Sequence, residues 1–88
     1  MNVMTAILTI REDVRFEDLT EVLKHEREVI AQWTKEGLLH DFYLRQTRNG
    51  AVILFKELDE TQAREMIATL PLFPYLKPVE YLGLIKQG

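Results

Sequence analysis

The sequence predicts an α+β fold of order β-α-β-β-α-β, the split unit known as ferredoxin-like, in which a four-stranded antiparallel sheet carries two helices on one face. Three observations lead there. Residues 19–36, LTEVLKHEREVIAQWTKE, place Leu19, Val22, Leu23, Val29, Ile30 and Trp33 on one arc of about 120° of a helical wheel. Two β-rich stretches, 38–47 and 51–58, flank an Asn49-Gly50 pair, a strong local signal for a tight hairpin. A second helical stripe, Ala63, Met66, Ile67 and Leu70, stops at Pro71 and is followed by the strand-like run VEYLGLI.

In chain order, Met4 to Ile10 alternates small or polar with apolar residues and contains β-branched types, as a strand with one well-buried face does. A charged connection, Arg11 to Arg15, leads to Phe16. Asp18 has the chemistry of an N-cap, with Glu21 at the capping-box position. Gly37 follows the last helical turn, where a left-handed residue closes a helix. Leu38 to Thr47 then alternates, placing His40, Phe42 and Leu44 on one face and Asp41, Tyr43 and Arg45 on the other. Ala51 to Leu58 is apolar on both faces, as in a strand covered on both sides. Asp59 and Gln62 form a second capping-box pair. Leu72 to Pro78 holds two prolines and is expected to be a constrained loop presenting Phe73 and Tyr75. Val79 to Ile85 is the final strand, with Gly83 read as a bulge or a close backbone approach.

The whole chain, 1–88, reads as one domain. At 88 residues it buries only about 60 to 65% of its unfolded surface, so association with a second copy is an expected source of further burial. Two helices cover one sheet face only. The apolar residues on the third strand therefore predict a homodimer closed through the open face, a dimeric α/β barrel that can build into a larger ring.

A net charge of −3 argues against a general nucleic-acid or membrane-surface binder. The opening apolar run is too short to span a membrane and lacks a basic leader region, and cysteine is absent. A cytoplasmic protein is the simplest reading. Without cysteine or serine there is no thiolate metal site and no thiol or serine nucleophile. His25 and His40, the two histidines, share no metal-binding spacing, and no glycine-rich loop is present to cradle phosphates. No metal or cofactor is expected.

What remains is acid/base chemistry, and Glu26 is its best candidate because it falls near the centre of the apolar arc of the first helix. A carboxylate directed at a core must find a partner, reach water or rise in pKa; the last outcome describes a general base. The competing reading is a local ion pair with Lys24 or Arg27, or a route to solvent past a helix end. His40 is either a proton shuttle or a histidine satisfied by neighbouring backbone. Tyr43 and Arg45 share a face and either hold an anion or carbonyl or form a surface or interface pair, with Arg27 as another anion anchor. Trp33 continues the helical stripe and reads first as core, second as a ligand platform. His25 lies at the edge of the apolar face or simply on the surface.

The run Thr69-Leu70-Pro71-Leu72-Phe73-Pro74-Tyr75-Leu76 resembles the muconolactone Δ-isomerase family, where a Leu-Pro-Leu-Phe-Pro-Tyr stretch follows the second helix. The likeness extends without gaps from Tyr75 through Phe55 to Gly37, and to Glu26 among basic neighbours as a family glutamate sits. It implies a ferredoxin-like fold, assembly into dimers and rings, and cofactor-independent isomerisation of a small carboxylated lactone or enol in aromatic degradation. His40-Asp41 stands where the family carries an Arg-His pair, and the closing stretch Tyr81 to Lys86 also differs. In an isomerase reading Glu26 is the base in a pocket between the first helix and the sheet, His40 the acid or shuttle and Tyr43 the oxyanion donor. Arg45 anchors the substrate carboxylate, and His25, Trp33, Phe73 and Tyr75 line or close the pocket. The rival readings are a cofactor-independent monooxygenase or a dehydratase on the same fold, or a non-enzymatic binding or assembly module.

Overall fold

A computed structural model describes residues 2–87. Strands β1 (Asn2–Thr9), β2 (Leu39–Leu44), β3 (Gly50–Lys56) and β4 (Glu80–Ile85) form one antiparallel sheet in the order β2-β3-β1-β4. Helices α1 (Thr20–Lys35) and α2 (Glu60–Ile67) cover one face. This is the ferredoxin-like arrangement that the order of elements predicts.

Alternation along each strand decides what faces the helices. Ala6 and Leu8 of β1, Ile53 and Phe55 of β3 and Leu39 of β2 point inward and are buried with Ile30, Trp33, Ala63 and Ile67 of the helices. Trp33 packs on Phe55 with ring centroids 5.7 Å apart and planes tilted by 56°. Buried aromatic pairs of this kind favour tilted over face-to-face geometry. The other face carries Val3, Thr5, Ile7, Val52, Leu54, Tyr43, Leu82 and Leu84, and among the described residues no helix covers it.

Several local expectations are corrected. Asp18 caps nothing: it lies inside a 3-10 turn, Phe16–Leu19, and its own N–H donates to the Arg15 carbonyl at 3.0 Å. The helix therefore begins without a side-chain cap, and Glu21 completes no capping box. Strand β2 stops at Leu44, and its register slips between Leu39 and Asp41. His40 is the extra residue of that bulge. Leu39 takes the inward place, and His40 no longer shares the alternation of Phe42 and Leu44. The hairpin is longer than an Asn-Gly two-residue turn. Arg45 N–H donates to the Gly50 carbonyl at 3.0 Å, and the left-handed residue is Arg48, at φ 61°. Gly50 is needed for another reason, because a Cβ there would collide with the Leu8 carbonyl oxygen. Gly83 is neither a bulge nor a close approach: pairing with β1 runs through it unbroken, and a Cβ would meet only Met4 Cε at 3.6 Å.

Other signals hold. Gly37, at φ 75°, ends α1 with Leu38 N–H bonded to the Trp33 carbonyl and Gly37 N–H to that of Thr34. Asp59 and Gln62 form the reciprocal capping box of α2. The proline-rich loop holds a 3-10 turn, Phe73–Tyr75, pinned to the end of β1: Arg11 N–H donates to the Tyr75 carbonyl and the Arg11 guanidinium to that of Pro74.

Candidate active site

Between α1 and the hairpin end of the sheet lies a cavity of about 870 Å³. Leu8 and Ile53 form its floor, Leu23 and Ile30 of α1 one wall, Phe42, Leu44 and Ala51 another, and Phe16 and Leu72 contribute from the flanking loops. It is apolar apart from Glu26, Gln46 and the arginines Arg27, Arg45 and Arg48.

Glu26 follows from the helix itself. Its place in the apolar stripe carries it into the layer that Ile30 and Trp33 occupy, and it is 8% exposed. Its Oε1 accepts one hydrogen bond, from the Leu72 backbone N–H at 3.1 Å. Among the described residues it has no ion pair, so the expected alternatives at Lys24 or Arg27 are not formed. Burial pushes its pKa above the ordinary carboxylate value, and the Leu72 N–H offsets part of the rise. A carboxyl in this state is a proton acceptor held at the edge of an apolar space.

The other expected site residues scatter. His40 sits at the β2 bulge with Nδ1 2.9 Å from Asp41 Oδ2, outside the cavity lining. Tyr43 is 56% exposed and points to the open sheet face. Arg45 lines the cavity, yet its guanidinium donates to the Thr9 hydroxyl. His25 is on the surface near Glu28, at 3.6 Å. Trp33 is a core residue against Phe55. Phe73 lines a separate shallow depression with Arg64, Lys77 and Tyr81, while Tyr75 packs at the margin of the core. Of the residues expected to act, one chain brings Glu26, Arg27 and Arg45 to the same cavity.

Sequence reasoning missed Leu72, because the group that matters there is a backbone N–H. It also missed Arg48, whose role depends on the hairpin turning back over the cavity. Among the described residues no group of three or more histidine, aspartate, glutamate or cysteine side chains is placed to hold a metal ion, and no helix is long and apolar enough to cross a membrane.

No protein-family model and no curated protein matches the sequence. Among solved structures, the chain is similar to muconolactone isomerase, with a TM-score of 0.77 over 97% of this chain and 90% of that one at 20% identity. It is also similar to the hypothetical protein PHS023 from Pyrococcus horikoshii, with a TM-score of 0.54 over 99% of this chain and 93% of that one at 7% identity. At these identities the likeness is one of fold.

Proposed function

We propose that the chain, acting as a single domain over 1–88, is a cofactor-independent isomerase that shifts a proton and a double bond in a small carboxylated lactone or enol. The observation that carries this reading is Glu26: a buried carboxyl with no counter-ion among the described residues, in the wall of an apolar cavity, where burial pushes its pKa up. The fold shared with muconolactone isomerase supports it. A cysteine-free chain is in keeping with a cytoplasmic setting.

The geometry suggests how the proton moves. Leu72 N–H occupies Oε1, which leaves Oε2 to take a proton from the carbon next to a carbonyl. The electrons pass to the carbonyl oxygen as an enolate, and the protonated carboxyl returns the proton to a different carbon. Nothing is gained or lost overall. One carboxyl serves as base and then acid, so neither His40 nor Tyr43 is required inside the cavity. Apolar surroundings suit this step, because burial raises the carboxyl pKa and strengthens polar contacts with the developing charge.

The test is Glu26→Gln. It keeps an acceptor for Leu72 N–H and the volume of the side chain but removes the base, and turnover of a lactone or enol substrate should fall by about 10² to 10⁴. Unchanged turnover in a folded variant would end the assignment. Oxygen uptake with aromatic polyols would instead favour the monooxygenase reading.

The partner in this reading is a second copy. Leu82 and Leu84 are 48% and 45% exposed on the uncovered sheet face, beside Tyr43, Val52 and Leu54. Leu84→Glu should convert a dimer to a monomer in analytical ultracentrifugation; a wild-type chain that sediments as a monomer would remove this part of the proposal.

A further inference from the structure

The chain is acidic as a whole, yet the cavity is not. Three arginines, Arg27, Arg45 and Arg48, line it against one carboxyl group, Glu26, which is buried. The three arginines outside the cavity, Arg11, Arg15 and Arg64, each meet a carboxylate within 3.3 Å, as does Lys77. Lys24, Lys35, Lys56 and Lys86 have no such partner among the described residues. None of the three cavity arginines has such a partner among the described residues.

The three differ in what their guanidinium groups do. Arg45 is committed to the Thr9 hydroxyl on the strand beside the hairpin. Arg27 and Arg48 make no side-chain hydrogen bond among the described residues. They also come from opposite walls: Arg27 from α1, one residue after Glu26, and Arg48 from the hairpin. Arg48 is held by its backbone, with φ 61° and its N–H donated to the Arg45 carbonyl at 2.9 Å. Both side chains are exposed, so they stand at the mouth of the cavity rather than inside it. Two fork-shaped donors with no protein acceptor among the described residues suit a planar oxyanion there.

We propose that Arg27 and Arg48, rather than Arg45, hold the carboxylate of the cavity's ligand, with its apolar body directed inward toward Glu26. This rests on the same cavity as the isomerase reading but not on the reaction. The pair sets which molecules enter: an anion is drawn by the local positive field and oriented by the forks, while a neutral isostere of the same shape gains only apolar contact.

The test uses benzoate and benzamide, planar molecules of matching shape that differ in charge, titrated into the protein while the Leu72 and Ile30 amide signals are followed by NMR. Benzoate should bind more tightly than benzamide and lose affinity as salt is raised. Arg27→Gln preserves the helix, and Arg48→Asn suits a left-handed backbone. Each should weaken benzoate by about tenfold, the scale of one lost charge-assisted hydrogen bond, and leave benzamide unchanged. Arg45→Gln removes only a share of the local field and should weaken benzoate less than either of the other two variants. Equal binding of the two molecules overturns the proposal, as does a loss that follows Arg45 alone or a failure of benzoate to move the Leu72 signal. Glu26→Gln separates this from the reaction: benzoate binding should persist there whether or not that variant turns over a lactone.

Discussion

The two helices lie on the same sheet face, yet their undersides are built to different ends. Beneath α2, Ala63 and Ile67 are fully buried, and a reciprocal capping box closes the N-terminus. Arg64 reaches Glu60 at 2.8 Å and its guanidinium lies 4.4 Å from the Tyr81 ring centroid. Beneath α1 the chain leaves a cavity of about 870 Å³ and buries Glu26, and among the described residues neither Glu26 nor the cavity arginines have an ion-pair partner. A protein optimised only for stability would bring those opposite charges together or fill the space. The contrast sets an open cavity with a buried, unpaired carboxyl under α1 against filled packing under α2, and the proposed chemistry belongs to the first.

The strongest way to break this contrast is to remove the same atoms from each side. Ile67 is 0% exposed in close packing, whereas Ile30 is 9% exposed and lines the cavity. Ile67→Ala should cost about 3 to 5 kcal/mol, because it opens a void in a filled region. Ile30→Ala should fall near the lower end of the usual range, about 2 kcal/mol, since it only enlarges a space already open. Urea denaturation of the two variants measures the difference. Equal losses would mean that the α1 side is as tightly packed as the α2 side, and the cavity would lose its standing as a functional feature.

The same contrast marks what was legible in the sequence. The element order, the Gly37 helix end and the Asp59–Gln62 box were readable because local chemistry decides each of them. Glu26 was readable as an anomaly in a periodic pattern. The Asp18 cap failed because a 3-10 turn already spends those backbone groups, and the alternation of β2 failed at one residue because a bulge inserted His40. Gly50 shows the limit well: the turn signal was real, but the glycine is there to let β1 pass close by, which depends on a strand remote in sequence. The cavity's composition was hidden for the same reason. Leu72 N–H and Arg48 meet Glu26's surroundings only once the proline-rich loop and the hairpin fold back, and no spacing in the chain records that.

Next in size is the response of stability to pH. Glu26 has a folded-state pKa above its unfolded value, so the folded chain holds that proton more tightly. Its contribution is fully present below the ordinary carboxylate pKa and is lost as pH rises through the raised value. Glu26→Gln removes the dependence. The variant should therefore gain stability relative to wild type on going from pH 4 toward pH 7, read from urea midpoints at each pH. A relative loss over that range would show that the folded state supplies Glu26 with a positive partner, and the α1 side would then resemble the α2 side after all.

The smallest effect is expected where charges are already matched. Arg64 touches Glu60 on the helix surface and stacks on Tyr81, whose hydroxyl pKa is raised, first by burial. An exposed i, i+4 pair contributes about 0.3 to 0.5 kcal/mol, and a cation above an aromatic ring about 0.5 to 1 kcal/mol at such a site. Arg64→Met keeps the aliphatic cover on the ring while removing the charge, so thermal unfolding should change by no more than about 1 kcal/mol, and catalysis should not change at all. Because Arg64 is remote from the cavity lining, a loss of turnover in this variant would contradict the division between the two sides. It would mean that the shallow depression formed by Arg64, Phe73 and Tyr81 communicates with Glu26 through the Leu72 to Tyr75 loop, whose backbone N–H is the carboxyl's hydrogen-bond donor.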